Sequence, residues 1–349
     1  MDEIQQKYTR EFFLDVLKGI CIIFVIVEHY AWGIKKLKLL FPFWIAMAVP
    51  MFMIISGYAY TKSYERTKVV RLRDAYMPLE ILRKIIRYTI PYATVFVLHS
   101  FYRAYKGQIT ISITQMCGGF LTGGYGPGSY YYPIMIQFIF VFPVIFLCIK
   151  NYGKRGLLIC WITNILYELF QNFFNMVEGH YRLLLFRYIF VIAVGCFFAL
   201  GYHISKGIQV VMFVVGACFL ITTSYMGYEP ILFTYWTSTC VLACLYVVPI
   251  ASILFQRLPK VKRRFWGIEI IGKASFDIFL TQMVYYNCMT EYTYANISNR
   301  GLQLLANIFI CVTVGVIFYY IENPITTRIM QKVKMYGMQW KDATKMPIM

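Results

Sequence analysis

Apolar stretches of about 18 residues or more, the length that crosses a lipid bilayer, recur from one end of this chain to the other. A helix satisfies its backbone hydrogen bonds within itself, so such stretches are read as helices in lipid. They predict about ten transmembrane helices, near 12–31, 41–61, 88–105, 128–149, 156–176, 184–203, 207–227, 233–255, 272–289 and 301–321. The expected fold class is therefore an all-α membrane protein. Composition agrees, because 59% of the 349 residues are hydrophobic and only 14% are charged. A soluble domain of that size needs more charge. The aromatic share of 19% suits helix ends at membrane interfaces.

An even number of spans puts both termini on the same side. Most of the 34 lysines and arginines then fall on that side, chiefly from Lys62 to Arg87 and in the loop holding Arg257, Lys260, Lys262, Arg263, Arg264 and Lys273. Basic loops stay cytosolic, so both termini are expected in the cytosol. Lys35, Lys36 and Lys38 run against this bias. Topology signals of this kind account for the net charge of +18 without nucleic acid. The ten cysteines lie mostly in apolar segments with no CxxC pair, and His99, His180 and His203 show no metal spacing. Neither disulfides nor a metal is expected. The first apolar run has no small-residue cleavage site after it and reads as a retained helix. No repeat of fixed period is visible, so an inverted-repeat transporter gains no support. The Gly-, Ser- and Thr-rich segment 107–127 is expected to be a re-entrant or interfacial loop on the outer side. Residues 1–325 form the expected membrane domain, and 326–349 a basic cytosolic tail.

The first span carries Asp15, Lys18, Glu28 and His29. Charged groups inside a bilayer are costly and are kept mainly where they line a cavity or do chemistry. Lys18 and His29 are eleven residues apart, about three helical turns, which puts them on one face about 16 Å apart along the axis. Asp15 precedes Lys18 by one turn and can neutralise it. Asp277 in the ninth span is a further buried carboxylate, with Lys273 one turn away as its natural partner. On the fifth span, Asn164, Glu168, Gln171 and Asn175 recur at helical spacing as a polar stripe, which also suits plain helix–helix hydrogen bonding.

Several segments together resemble a known family. Leu14-Asp15-Val16-Leu17-Lys18-Gly19-Ile20 followed by His29 is similar to the opening of the integral membrane acyltransferase family 3, with lysine where arginine is usual. Val49-Pro50-Met51-Phe52 through Ser56-Gly57-Tyr58 resembles its second helix. Arg83-Lys84-Ile85-Ile86-Arg87 before Pro91-Tyr92 resembles its third. Arg187-Tyr188 to Gly195, Ile271-Gly272-Lys273-Ala274-Ser275-Phe276 to Leu280, and Ile321-Glu322-Asn323-Pro324 continue the likeness in the family's order. Thr281-Gln282 stand where many members have a histidine, so no second catalytic histidine carries over.

The resemblance implies an enzyme of a bacterial cytoplasmic (inner) membrane. It would move an acyl group from cytosolic acyl-CoA to a hydroxyl of a cell-surface polysaccharide or glycolipid, the acceptor partner being a surface glycan or lipid-linked sugar. Acetyl is the default group (O-acetylation), with succinyl the second choice. Acyl-CoA, with acetyl-CoA first, is the implied donor, and the bilayer and a polysaccharide-biosynthesis complex are the implied partners. The residue types suit these roles. Lys18, Arg83, Lys84 and Arg87 would hold the polyanionic donor. His29 would be the base that takes the hydroxyl proton, with Glu28 beside it. Glu28 lies about 100° round the helix from His29 and is poorly placed to orient it directly. Gln137, Glu168, Gln171 and Arg187 are the candidates for binding the acceptor. The competing class is a multi-pass permease or flippase for a small polar solute or lipid-linked sugar, which needs neither the basic motif nor the Lys18/His29 face.

Overall fold

The computed structural model describes residues 12–33, 35–232, 237–260 and 265–343. Lys262, Arg263 and Arg264, the start of the eighth expected span and the end of the tail lie outside them. The described residues are helical with no strand. Each of the ten apolar segments holds a helix: α1 Phe12–Glu28, α2 Ala48–Arg66, α3 Pro78–Tyr105, α4 Tyr131–Tyr152, α5 Lys154–Phe173, α6 Ile189–Ala199, α7 Lys206–Ser224, α8 Val241–Arg257, α9 Ser275–Cys288 and α10 Arg300–Ala343. By length and apolarity alone, four helical segments suffice to cross a membrane: Phe41–Arg66, Tyr131–Tyr152, Lys206–Ser224 and Arg300–Tyr336. The ten expected crossings narrow to these four on that criterion. The shortfall has physical reasons, since α1, α6, α8 and α9 have only 17, 11, 17 and 14 residues, while α3 and α5 are long enough but not apolar enough.

The helix α6 is apolar on every side and is buried along most of its length. It therefore forms the centre, packed by α2, α4, α5 and α8. Its contact with α2 is made close by two glycines. A β-carbon on Gly195 would sit 1.9 Å from the Ile54 carbonyl oxygen, and one on Gly57 would sit 2.2 Å from that of Ile192. Small residues of this kind let helix backbones approach where no hydrophobic force drives them together. The same device locks α1 to the short helix Trp266–Lys273, because Gly272 meets the carbonyl of Asp15 and Gly19 meets that of Ile268.

Gly153 adopts φ +53° between α4 and α5, turning the chain directly from one helix into the next. Pro78 starts α3 at its first turn, where a missing N–H costs nothing. The helices α1, α3, α9 and α10 pack against one another, joined by α2 on α1 and α4 on α3. This group encloses the polar interior. The helix α7 leans on α8 at the periphery, with only 17% of its apolar window buried. Two segments are more helical than the sequence suggests. In 107–127, residues Ile113–Leu121 form a helix with no buried side chain, while the following glycines turn inward. The helix α10 continues unbroken through Pro324 to Ala343, so the described part of the tail is helical.

Candidate active site

The face of α1 that carries Lys18 opens into a cavity of about 560 Å³. Arg66 of α2, Arg83, Lys84 and Arg87 of α3, and Lys273 join Lys18 in its walls. Lys18 Nζ lies 4.0 Å from Asp15 Oδ1, the one-turn pair its spacing predicts. Arg83 pairs with Glu80 at 2.9 Å. The Lys84 ammonium donates to Tyr64 Oη at 3.1 Å and stands 4.4 Å from the centre of that ring. Arg87 remains open to the cavity. On the far wall Asp277 and Glu322 line the cavity together near Arg87, and Thr326 donates to Glu322 at 2.6 Å. Asp277 therefore meets Glu322 and Arg87, and no ion pair to Lys273 forms among the described residues. Helical register is interrupted at Ala274, which separates Lys273 from the helix that carries Asp277.

His29, just past the other end of α1, lines a second cavity of about 430 Å³. Glu28, Lys36, Arg182, Ser238, Thr239 and the Gly126-Pro127-Gly128 backbone share its walls. Glu28 Oε1 accepts from Lys36 Nζ at 2.7 Å, so its carboxylate is turned to lysine and not to His29. The His29 ring packs 5.9 Å from that of Tyr286, which is itself tied down by donation to the Ile26 carbonyl at 2.7 Å. No side-chain hydrogen bond reaches His29 among the described residues, leaving its nitrogens for a ligand.

A third, much smaller space of about 20 Å³ lies between the two. Phe52, Tyr131, Ser275 and Phe276 line both it and the basic cavity, whereas Val25, Val49 and Tyr130 line both it and the histidine cavity. Phe279 completes it. Ser275, Phe279 and Tyr286 fall on one face of α9, running beside the Lys18–His29 face of α1 over a similar length.

A family model described as an acyltransferase domain matches residues 11–321. The chain belongs to the acyltransferase 3 family. It is accordingly a membrane acyltransferase, and the match takes in every lining residue of the histidine cavity and all of those of the basic cavity up to Tyr319. No curated protein and no solved structure matches.

Four other positions singled out in the sequence of this acyltransferase do not reach either cavity. Gln137 donates to the Leu183 carbonyl at 2.6 Å and accepts from the Leu185 N–H at 3.0 Å, fastening the turn before α6. Glu168 is fully buried and accepts from the Val241 N–H at 2.7 Å and the Cys240 thiol at 2.9 Å, capping the start of α8. Asn164 adds a bond to it at 3.3 Å, and Gln171 is buried on the same face. Arg187 is fully buried, its guanidinium over the rings of Tyr188, Tyr181 and Tyr130 at 4.5, 5.1 and 5.2 Å. It meets the histidine cavity only through Tyr130.

Sequence reasoning overlooked Lys36 and Arg182 as cavity residues. The signal for Lys36 was present, since its cluster sits on the wrong side of the charge bias. A cation kept against that bias needs another reason to be there, and here that reason is Glu28.

Proposed function

We propose that this acyltransferase carries an acyl group from acyl-CoA in the basic cavity, on the cytosolic side, to a hydroxyl of a surface polysaccharide or lipid-linked sugar in the histidine cavity. The observation that carries the reading is that one face of α1 serves both cavities, Lys18 at one and His29 at the other. In this reading the chain crosses a bacterial cytoplasmic membrane ten times with both termini inside, in keeping with its basic loops.

The chemistry follows from the residue types. Coenzyme A brings several negative charges, and Lys18, Lys84 and Arg87 offer them a cationic surface. His29 takes the proton of the acceptor hydroxyl as its oxygen attacks the thioester carbonyl. The carbon–sulfur bond then breaks, and the departing thiolate takes a proton from its own side. Glu28 and Lys36 serve the polar acceptor, and the cavity's hydroxyls Ser238 and Thr239 supply further hydrogen bonds. Family membership sets the permease reading aside.

His29→Ala is expected to abolish acylation of the surface glycan at matched protein level, read by mass spectrometry of the glycan. Normal acylation in that variant would overturn His29 as the base.

A further inference from the structure

We infer that the narrow waist between the cavities selects the acyl group, admitting short uncharged acyl chains and excluding long or carboxylated ones. The inference rests on the proposed transfer between the two cavities. Its basis is the contrast in room and in chemistry along one route. The two ends offer about 560 and 430 Å³, whereas the waist offers about 20 Å³. That is room on the order of one water molecule, so an acetyl methyl fits with little adjustment and a butyryl chain does not.

The walls are also stiff. The Tyr131 ring packs 4.7 Å from Phe279 and 6.1 Å from Phe276, and Phe276 in turn meets Tyr88 edge-on at 5.3 Å. Phe279 is pressed against Gly128, where a β-carbon would lie 2.6 Å from its ring. Gly128 has φ +89°, a conformation glycine adopts without strain, so the loop can come this close. Tyr131 on one side and Gly128 on the other hold the Phe279 ring in place at the edge of the waist.

Charge selection follows from what the waist lacks. No lysine, arginine or histidine lines it. The cations of the basic cavity face the donor's phosphates, and Lys36 is engaged by Glu28 in the other cavity. The terminal carboxylate of a succinyl group would enter an aromatic passage with no counter-charge, which is strongly disfavoured.

The test uses membranes holding the full-length enzyme and its native glycan, supplied with acetyl-CoA, butyryl-CoA or succinyl-CoA, with glycan-bound acyl groups identified by mass spectrometry. The wild type is expected to transfer acetyl in preference to butyryl by about tenfold or more, and to transfer no succinyl. Phe279→Ala is expected to raise the butyryl-to-acetyl ratio about tenfold without admitting succinyl. Phe52→Ala, which opens the opposite wall, serves if the first variant fails to accumulate. An unchanged ratio in a variant that still transfers acetyl overturns the inference, as does ready succinyl transfer by the wild type. Failure of the wild type to transfer any of the three instead overturns the underlying reading of the two cavities.

Discussion

Glu168 and His29 are both polar groups on otherwise apolar helices, yet their surroundings differ completely. Eleven-residue spacing was enough to align His29 with Lys18, because a helix has a fixed geometry. Nothing in the spacing of Asn164, Glu168 and Gln171 says whether their stripe faces a cavity or a neighbouring helix. Here it faces a neighbour, and Glu168 satisfies the N–H that begins α8. Glu168→Ala should therefore lower thermal stability in detergent by about 1–3 kcal/mol, the cost of a stranded buried N–H. The KM for acceptor in the surviving protein should not move. Gln282 is a contrasting case, fully buried with neither amide atom hydrogen-bonded among the described residues. Gln282→Met fills the same space without a polar group to satisfy, and is expected to hold or raise the melting temperature. At the proposed donor site, Arg87→Ala should raise the KM for acyl-CoA about tenfold through loss of a charge-assisted contact. A fall in kcat alone would move Arg87 out of the donor site.

Among the elements, hydropathy located the helix in each of the ten apolar segments, but not short helices such as Ile113–Leu121, nor how closely any two approach. Gly57 and Gly195 look unremarkable in sequence, and only their apposition across α2 and α6 reveals the constraint. Alanine at either position must drive the helices apart, costing on the order of 1–3 kcal/mol or more. Reduced yield of folded protein by size-exclusion chromatography is the expected result, and wild-type yield would refute the close packing. The loop between α2 and α3 offers a test against pH. Asp74 accepts from the Arg71 N–H at 2.9 Å and the Val70 N–H at 3.1 Å, and these bonds, Arg71's first, hold its carboxyl below the usual carboxylate range. A depressed carboxyl contributes order above its ordinary value and loses it on protonation. Hydrogen-exchange protection of the Val70 and Arg71 amides should therefore be flat from neutral pH down to about pH 4 and fall only below it. The interruption at Ala274 was equally hidden, since Lys273 and Asp277 have ordinary one-turn spacing in sequence.

Across the whole molecule, the number of apolar segments and the family were legible from the chain, while the cavities were not. The basic cavity arises where α1, α2, α3, α4, α9 and α10 converge, and the histidine cavity where α1 and α2 meet connecting segments near Gly126, Arg182 and Ser238. Contacts between residues so distant in sequence leave no local pattern. The two cavities approach each other from opposite ends, leaving only the narrow, largely aromatic waist between them. In the proposed arrangement, with the cavities open to opposite sides of the membrane, the waist is where most of the transmembrane voltage falls. Its walls hold no carboxylate, imidazole or amine to return a proton. If the acceptor's proton leaves outward from His29 while the thiolate is reprotonated inside, each turnover exports one unit of positive charge. An inside-negative potential opposes that movement by up to about 2.3 kcal/mol per 100 mV. Acylation in sealed vesicles should accordingly speed up when an ionophore collapses the potential, and an unaltered rate would mean that the proton recrosses the waist.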